Sequence, residues 1–180
     1  MKKNNTLKLL ALALIIACVA FVNVKEKNLK KEYEKLNGKN YIKVSIPKDS
    51  PLINTNYNTL KKKKKKTGVI FIGTSKNQAS RDSIKPLLEA ADETGIDKIY
   101  YIDIKKIEKT NYNKELQIKK INIPTLITIK NGKVLEIING KNIKNSKYKK
   151  MSKEKQIQLK EKYIKAINKI LICSSSGYTC

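Results

Sequence analysis

Gly68-Val69-Ile70-Phe71-Ile72-Gly73-Thr74-Ser75 is the stretch whose reading decides the fold. Four apolar residues in unbroken succession between two glycines suit a central strand covered on both faces. Thr74 and Ser75 open a loop. A helix follows from about Asn77, with Ile84, Leu87, Leu88 and Ala91 as its apolar stripe and Pro86 inside it. Gly95 closes that helix. Ile96 to Ile104 reads as the next strand. Strand, helix and strand in this order form a βαβ unit with a right-handed crossover.

Working outward, Ile123-Pro124-Thr125-Leu126 opens another strand. Thr125 to Lys130 and Lys133 to Ile138, joined by Asn131-Gly132, read as a hairpin. Gly140 follows it. A last helix from about Ser152 to Ile172 carries Ile157, Tyr163, Ile164, Ile167, Ile170 and Leu171 on one broad face. Between the βαβ unit and the hairpin, Lys105 to Lys119 reads as a more polar helix. Upstream, Tyr41 to Ile46 alternates as a strand does, Pro47 and Pro51 break the chain, and Asn54 to Lys66 reads as a helix.

The resulting order, βα-βαβα-ββα over Tyr41 to Ile172, resembles the thioredoxin-like plan. It implies an α/β three-layer fold around a central mixed sheet. In redox members of that family the turn before the long helix carries Cys-x-x-Cys, where the helix N-terminus stabilises a thiolate. Here the turn reads Lys76-Asn-Gln-Ala-Ser-Arg81, without cysteine. Counting from Gly73 puts the two sites at Asn77 and Ser80, so the degenerate site spans Asn77, Gln78, Ala79 and Ser80. Counting back from Pro86 puts them at Gln78 and Arg81. The family's buried acid falls at Phe71 or Ile72, both apolar. Pro124 matches the family's cis proline, whose neighbourhood pairs with extended peptides. The resemblance thus implies a peptide-binding set of Asn77, Ile123, Pro124 and Thr125. It is similar in arrangement to membrane-associated thioredoxin-like proteins of Gram-positive and related bacteria, including bacteriocin-transport accessory proteins.

The N-terminus explains that association. Met1 to Lys8 is short and basic, and Leu9 to Val22 is wholly apolar. With Leu7 and Val24 the run approaches the roughly 17–25 residues of a membrane span. It reads as an uncleaved signal anchor, with a cleaved secretory signal or a lipoprotein signal at Ile15-Ile-Ala-Cys18 as alternatives. The division expected is 1–24 anchor or signal peptide, 25–40 charged juxtamembrane stalk, 41–172 thioredoxin-like domain and 173–180 tail. The place expected is the bacterial cell membrane, with the globular part outside the cytoplasm.

Forty basic residues against 15 acidic ones give a formal net charge of +25, and Arg81 is the only arginine. Lysine without arginine is a poor phosphate-recognition set, and no nucleic-acid-binding motif occurs, so no nucleic acid partner is expected. Lys61 to Lys66 reads either as a solvated helix end or as a membrane-facing patch. The chain has no histidine, which removes Ser-His and Cys-His catalysis and most zinc sites; no metal or cofactor is implied. Asp82, Glu89, Asp92 and Glu93 read as the solvated face of their helix. Cys173 and Cys180 frame a polar tail, as a structural disulfide or as a redox pair. Two functions follow. One is a non-enzymatic module that binds extended segments of exported proteins. The other is a thiol-disulfide oxidoreductase using Cys173 and Cys180.

Overall fold

The computed structural model describes residues 29–56, 67–107, 121–141 and 144–175, with the backbone alone for 106 and 172–175. The apolar N-terminal run, the six-lysine run, residues 108–119 of the polar helix expected before the hairpin and Cys180 lie outside the described residues; the start of that expected helix is a short 3-10 turn, Ile104–Lys106. Among those described, no helix is long and apolar enough to cross a membrane.

Five strands form one mixed sheet: β1 (Leu52–Asn54), β2 (Gly68–Gly73), β3 (Ile99–Asp103), β4 (Thr125–Lys130) and β5 (Lys133–Asn139). Their spatial order is β1-β3-β2-β4-β5. The first three are parallel, and β4 and β5 are antiparallel additions. β2 sits at the centre, as its unbroken apolar run requires. Val69 and Phe71 face one core with Tyr101 and Leu126. Ile70 and Ile72 face the other with Ile102 and Ile127. Such division of one strand between two cores follows from the two-residue period of strand side chains.

The helix after β2 is two helices, α2 (Gln78–Asp82) and α3 (Ile84–Thr94), if the helical residues 29–34 are called α1. The break has a direct cause. Pro86 has no N–H for the Asp82 carbonyl, and its ring crowds that group. Gly95 takes φ 67° and closes α3, with its N–H on Asp92 O. The last helix, α4 (Lys153–Ser175), lies on the α3 side of the sheet and buries Tyr163, Ala166, Ile167 and Ile170. The hairpin turns through Asn131 and Gly132, both with positive φ.

Three expectations are corrected. Tyr41 to Ile46 is not a strand, and the first strand is Leu52–Asn54. Val44 and Ile46 are buried as the alternation implied, yet the backbone there bonds to side chains: Asn37 accepts from Val44 N and donates to Val44 O. Residues 29–40 are not wholly a stalk. Leu29 and Tyr33 are fully buried in the core beside Tyr101, so this segment packs into the domain. Asp82 is buried rather than solvated, because three donors converge on it; Glu89, Asp92 and Glu93 are exposed.

Candidate functional site around the Asn77 turn and Pro124

The turn is closed by amides. Asn77 is the N-cap of α2: its Oδ1 accepts from Ser80 N at 2.8 Å and from Ser80 Oγ at 3.1 Å. From the segment after β5, Asn145 Nδ2 donates to the Lys76 carbonyl at 2.7 Å, and its Oδ1 accepts from Gln78 N at 3.1 Å. On the other side, Gln78 Oε1 accepts from Ile42 N and its Nε2 donates to the Asn40 carbonyl. Helix N-terminal N–H groups that would stabilise an anion thus meet neutral amide oxygens. The Ser80 hydroxyl donates to the neutral Asn77 amide oxygen.

Arg81 lies behind the turn and is 1% exposed. Its Nε donates to Ile42 O at 2.6 Å, Nη1 to Ser75 O, and Nη2 to Tyr33 O and Asn37 Oδ1. The guanidinium also stacks on the rings of Tyr33 and Tyr41. Burial pulls its pKa below the ordinary arginine value, and the two tyrosines oppose that pull. Every acceptor named here is neutral, which makes Arg81 a fastener for residues 33–42. Its neighbour Asp82 fastens the opposite side. It accepts from Tyr148 Oη at 2.9 Å, Met151 N at 2.6 Å and Gln156 Nε2 at 3.2 Å. Phe71 and Ile72, where the family's buried acid would fall, are both fully buried and apolar.

The bond from Ile123 to Pro124 is cis. Gly140 N donates to Pro124 O at 2.6 Å, which fixes the start of β4 to the end of β5. Thr125 is fully buried, and its hydroxyl bonds Asn122 O and Asn139 Oδ1. Pro124 and Ala79 belong to one cavity of about 440 Å³, floored also by Ile138, Leu159 and Tyr163. Asn77, Ile123 and Thr125 are not in its wall. The cavity thus joins Pro124 to Ala79 of α2 and to Ser83 just after it. Sequence reasoning missed Asn145, Tyr148 and the partnership of Gln78 with residues 40–42; the sole arginine was the one visible signal. Cys173 lies in the last turns of α4, its side chain outside the described residues. Among the described residues, no group of three or more potential ligands could hold a metal ion.

Strand order, the broken helix after the central strand and the cis proline ahead of β4 define a thioredoxin-like fold. No family model and no curated protein matches the chain. Among solved structures it is similar to thioredoxin from Trypanosoma brucei brucei, at 13% identity and TM-score 0.47, over 67% of this chain and 94% of that one. It is likewise similar to thioredoxin NaTrxh from Nicotiana alata, at 15% identity and TM-score 0.46, over 68% and 97%. Thioredoxin O2 from Arabidopsis thaliana gives 18% identity and TM-score 0.42, over 57% and 90%.

Proposed function

We propose that this chain is a membrane-anchored, extracytoplasmic thioredoxin-fold protein of the bacterial envelope. It has lost the active-site cysteine pair and binds extended segments of exported proteins without redox catalysis. The observation that carries this reading is the combination of Asn77 and Ser80 at the helix start with an open cavity at cis Pro124. Asn77 receives the Ser80 N–H at the N-cap, the place where a thiolate would sit in a redox member. The register counted from Gly73 therefore fits this turn better than the one counted from Pro86. The N-terminal anchor is Leu7 to Val24, by its apolar character alone.

The test uses full-length protein in detergent micelles. Two readouts are needed: reduction of insulin disulfides in the presence of a small dithiol, and fluorescence anisotropy of labelled extended peptides. The expected result is peptide binding with no reduction above background. Reduction that disappears in Cys173→Ser would overturn the proposal in favour of an oxidoreductase using Cys173 and Cys180. Failure of every peptide to bind overturns it as well.

A further inference from the structure

The cavity at Pro124 has a rim of one chemistry. Lys141, Lys149, Lys150, Lys155 and Lys162 all line it, and among the described residues no carboxylate does. None of the five pairs with an acid among the described residues. Two other lysines, on α4, do: Lys160 reaches Glu93, and Lys169 reaches Glu136. Nor are the acids spread evenly. Asp49, Glu89, Asp92 and Asp97 line a separate cavity between the Pro47–Pro51 stretch and the end of α3. The two hollows thus carry opposite charge.

The lysine rim is also held in place. Asp82 accepts from Tyr148 Oη and Met151 N, the residues on either side of Lys149 and Lys150. A buried carboxylate thereby fixes both ends of the short stretch that presents two amines to the cavity. Beneath the rim the floor is apolar, and Ile138 and Asn139 bring the edge strand β5 to its wall. Among the described residues the outer side of β5 has no strand neighbour, which suits main-chain pairing with an extended segment.

Granted that the protein holds extended peptides, as proposed above, we infer that this groove selects acidic segments. Its occupant is a peptide with two or more carboxylates flanking one bulky apolar side chain. The apolar residue fills the hollow between Ala79, Pro124 and Leu159, and the carboxylates meet the five amines. Unpaired like charges around one hollow repel one another, and an acidic ligand relieves that repulsion. A basic or neutral segment gains nothing there.

The experiment compares three labelled extended peptides on the full-length protein in neutral detergent. One has glutamates flanking a central leucine; the second has glutamines in their place; the third keeps the glutamates and replaces leucine by glycine. The first should bind about tenfold more tightly than either of the others at low salt, with the advantage over the second shrinking as salt rises. The doubly reversed variant Lys149→Glu with Lys150→Glu, both at exposed positions, should abolish the preference for glutamate over glutamine. The control variant Lys48→Glu with Lys98→Glu, at exposed positions outside the cavity and off β5, should leave it intact. Equal binding of the glutamate and glutamine peptides overturns the inference while peptide binding itself stands. Equal weakening by the control variant, or equal binding of the glycine peptide, also overturns it, since bulk charge is then sufficient. No binding by any peptide removes the peptide-binding reading and the inference with it.

Discussion

Arg81 donates through Nη2 to the backbone carbonyl of Tyr33, 48 positions earlier, at 3.0 Å, while its guanidinium lies 5.3 Å from the centre of the Tyr33 ring. A planar fork with several donors meets four acceptors at once, and a lysine ammonium has neither the shape nor the spread to replace it. Arg81→Lys is expected to destabilise the fold by about 2–4 kcal/mol, because buried carbonyls lose their partners. A urea titration checks this; a midpoint within error of the parent would contradict the fastening role.

Asp82 anchors the stretch from Tyr148 to Met151. Asp82→Ala leaves three donors without their acceptor and should cost about 2–4 kcal/mol. Asp82→Asn, which keeps the volume and one oxygen, should cost less. Amide hydrogen exchange at Met151 gives the local readout: protection is lost in Asp82→Ala. Unchanged exchange at that amide would show that other contacts hold the stretch.

Tyr33, Tyr101 and Tyr163 are held above the ordinary tyrosine value near 10, chiefly by burial. Above that pH the unfolded chain releases these protons and the folded chain keeps them. The unfolded state then binds fewer protons, so stability falls as pH rises. The stabilisation is whole below about pH 10 and declines above it, by about 1.4 kcal/mol per pH unit for each group. Comparing the parent with Tyr33→Phe separates the hydrogen-bonded Tyr33–Tyr101 pair from the titrating lysines. The variant should lose thermal midpoint less steeply between pH 10 and 11; parallel curves would sink the assignment.

A Cβ on Gly140 would stand 2.6 Å from Pro124 Cδ and 2.8 Å from its backbone N and O. Two of those atoms are main chain and cannot swing aside. Gly140→Ala is expected to cost about 1–3 kcal/mol through overpacking and to weaken peptide binding together with stability. Differential scanning fluorimetry gives the first effect and anisotropy the second. A variant as stable as the parent would mean that the end of β5 yields easily.

Asn77 satisfies Ser80 N at the start of α2, so Asn77→Ala should cost about 1 kcal/mol, the usual worth of an N-cap. Asn77→Ser should recover most of it. Thermal denaturation of the two variants distinguishes a capping residue, for which serine rescues, from one whose length matters in reaching Asn145.

Most of the frame was legible because its signals are local. The run from Val69 to Ile72 needs cover on both faces wherever it stands, and Asn131-Gly132 dictates a tight reversal between its two strands. Asp82 was not legible. A carboxylate on a helix ordinarily faces water, and two of its three donors lie 66 and 69 positions away in a polar stretch without periodicity, the third on the polar side of the last helix's start. Tyr41 to Ile46 misled for a related reason. Its alternation reports burial of Val44 and Ile46, but strand pairing requires a neighbouring backbone, and here Asn37, Gln78 and Arg81 take those groups instead. The five lysines of the groove are spread over 22 positions of a lysine-rich chain, so only the fold shows that they share a hollow.

Arg81, the chain's single guanidinium, is sealed inside. Every cationic side chain on the outside is therefore a primary amine. An acylating reagent, or an enzyme that acetylates lysine, would erase the outer positive charge and leave the inner cation untouched. The outer positive charge of this protein is in that sense chemically removable, while the charge that holds residues 33 to 42 in place is not.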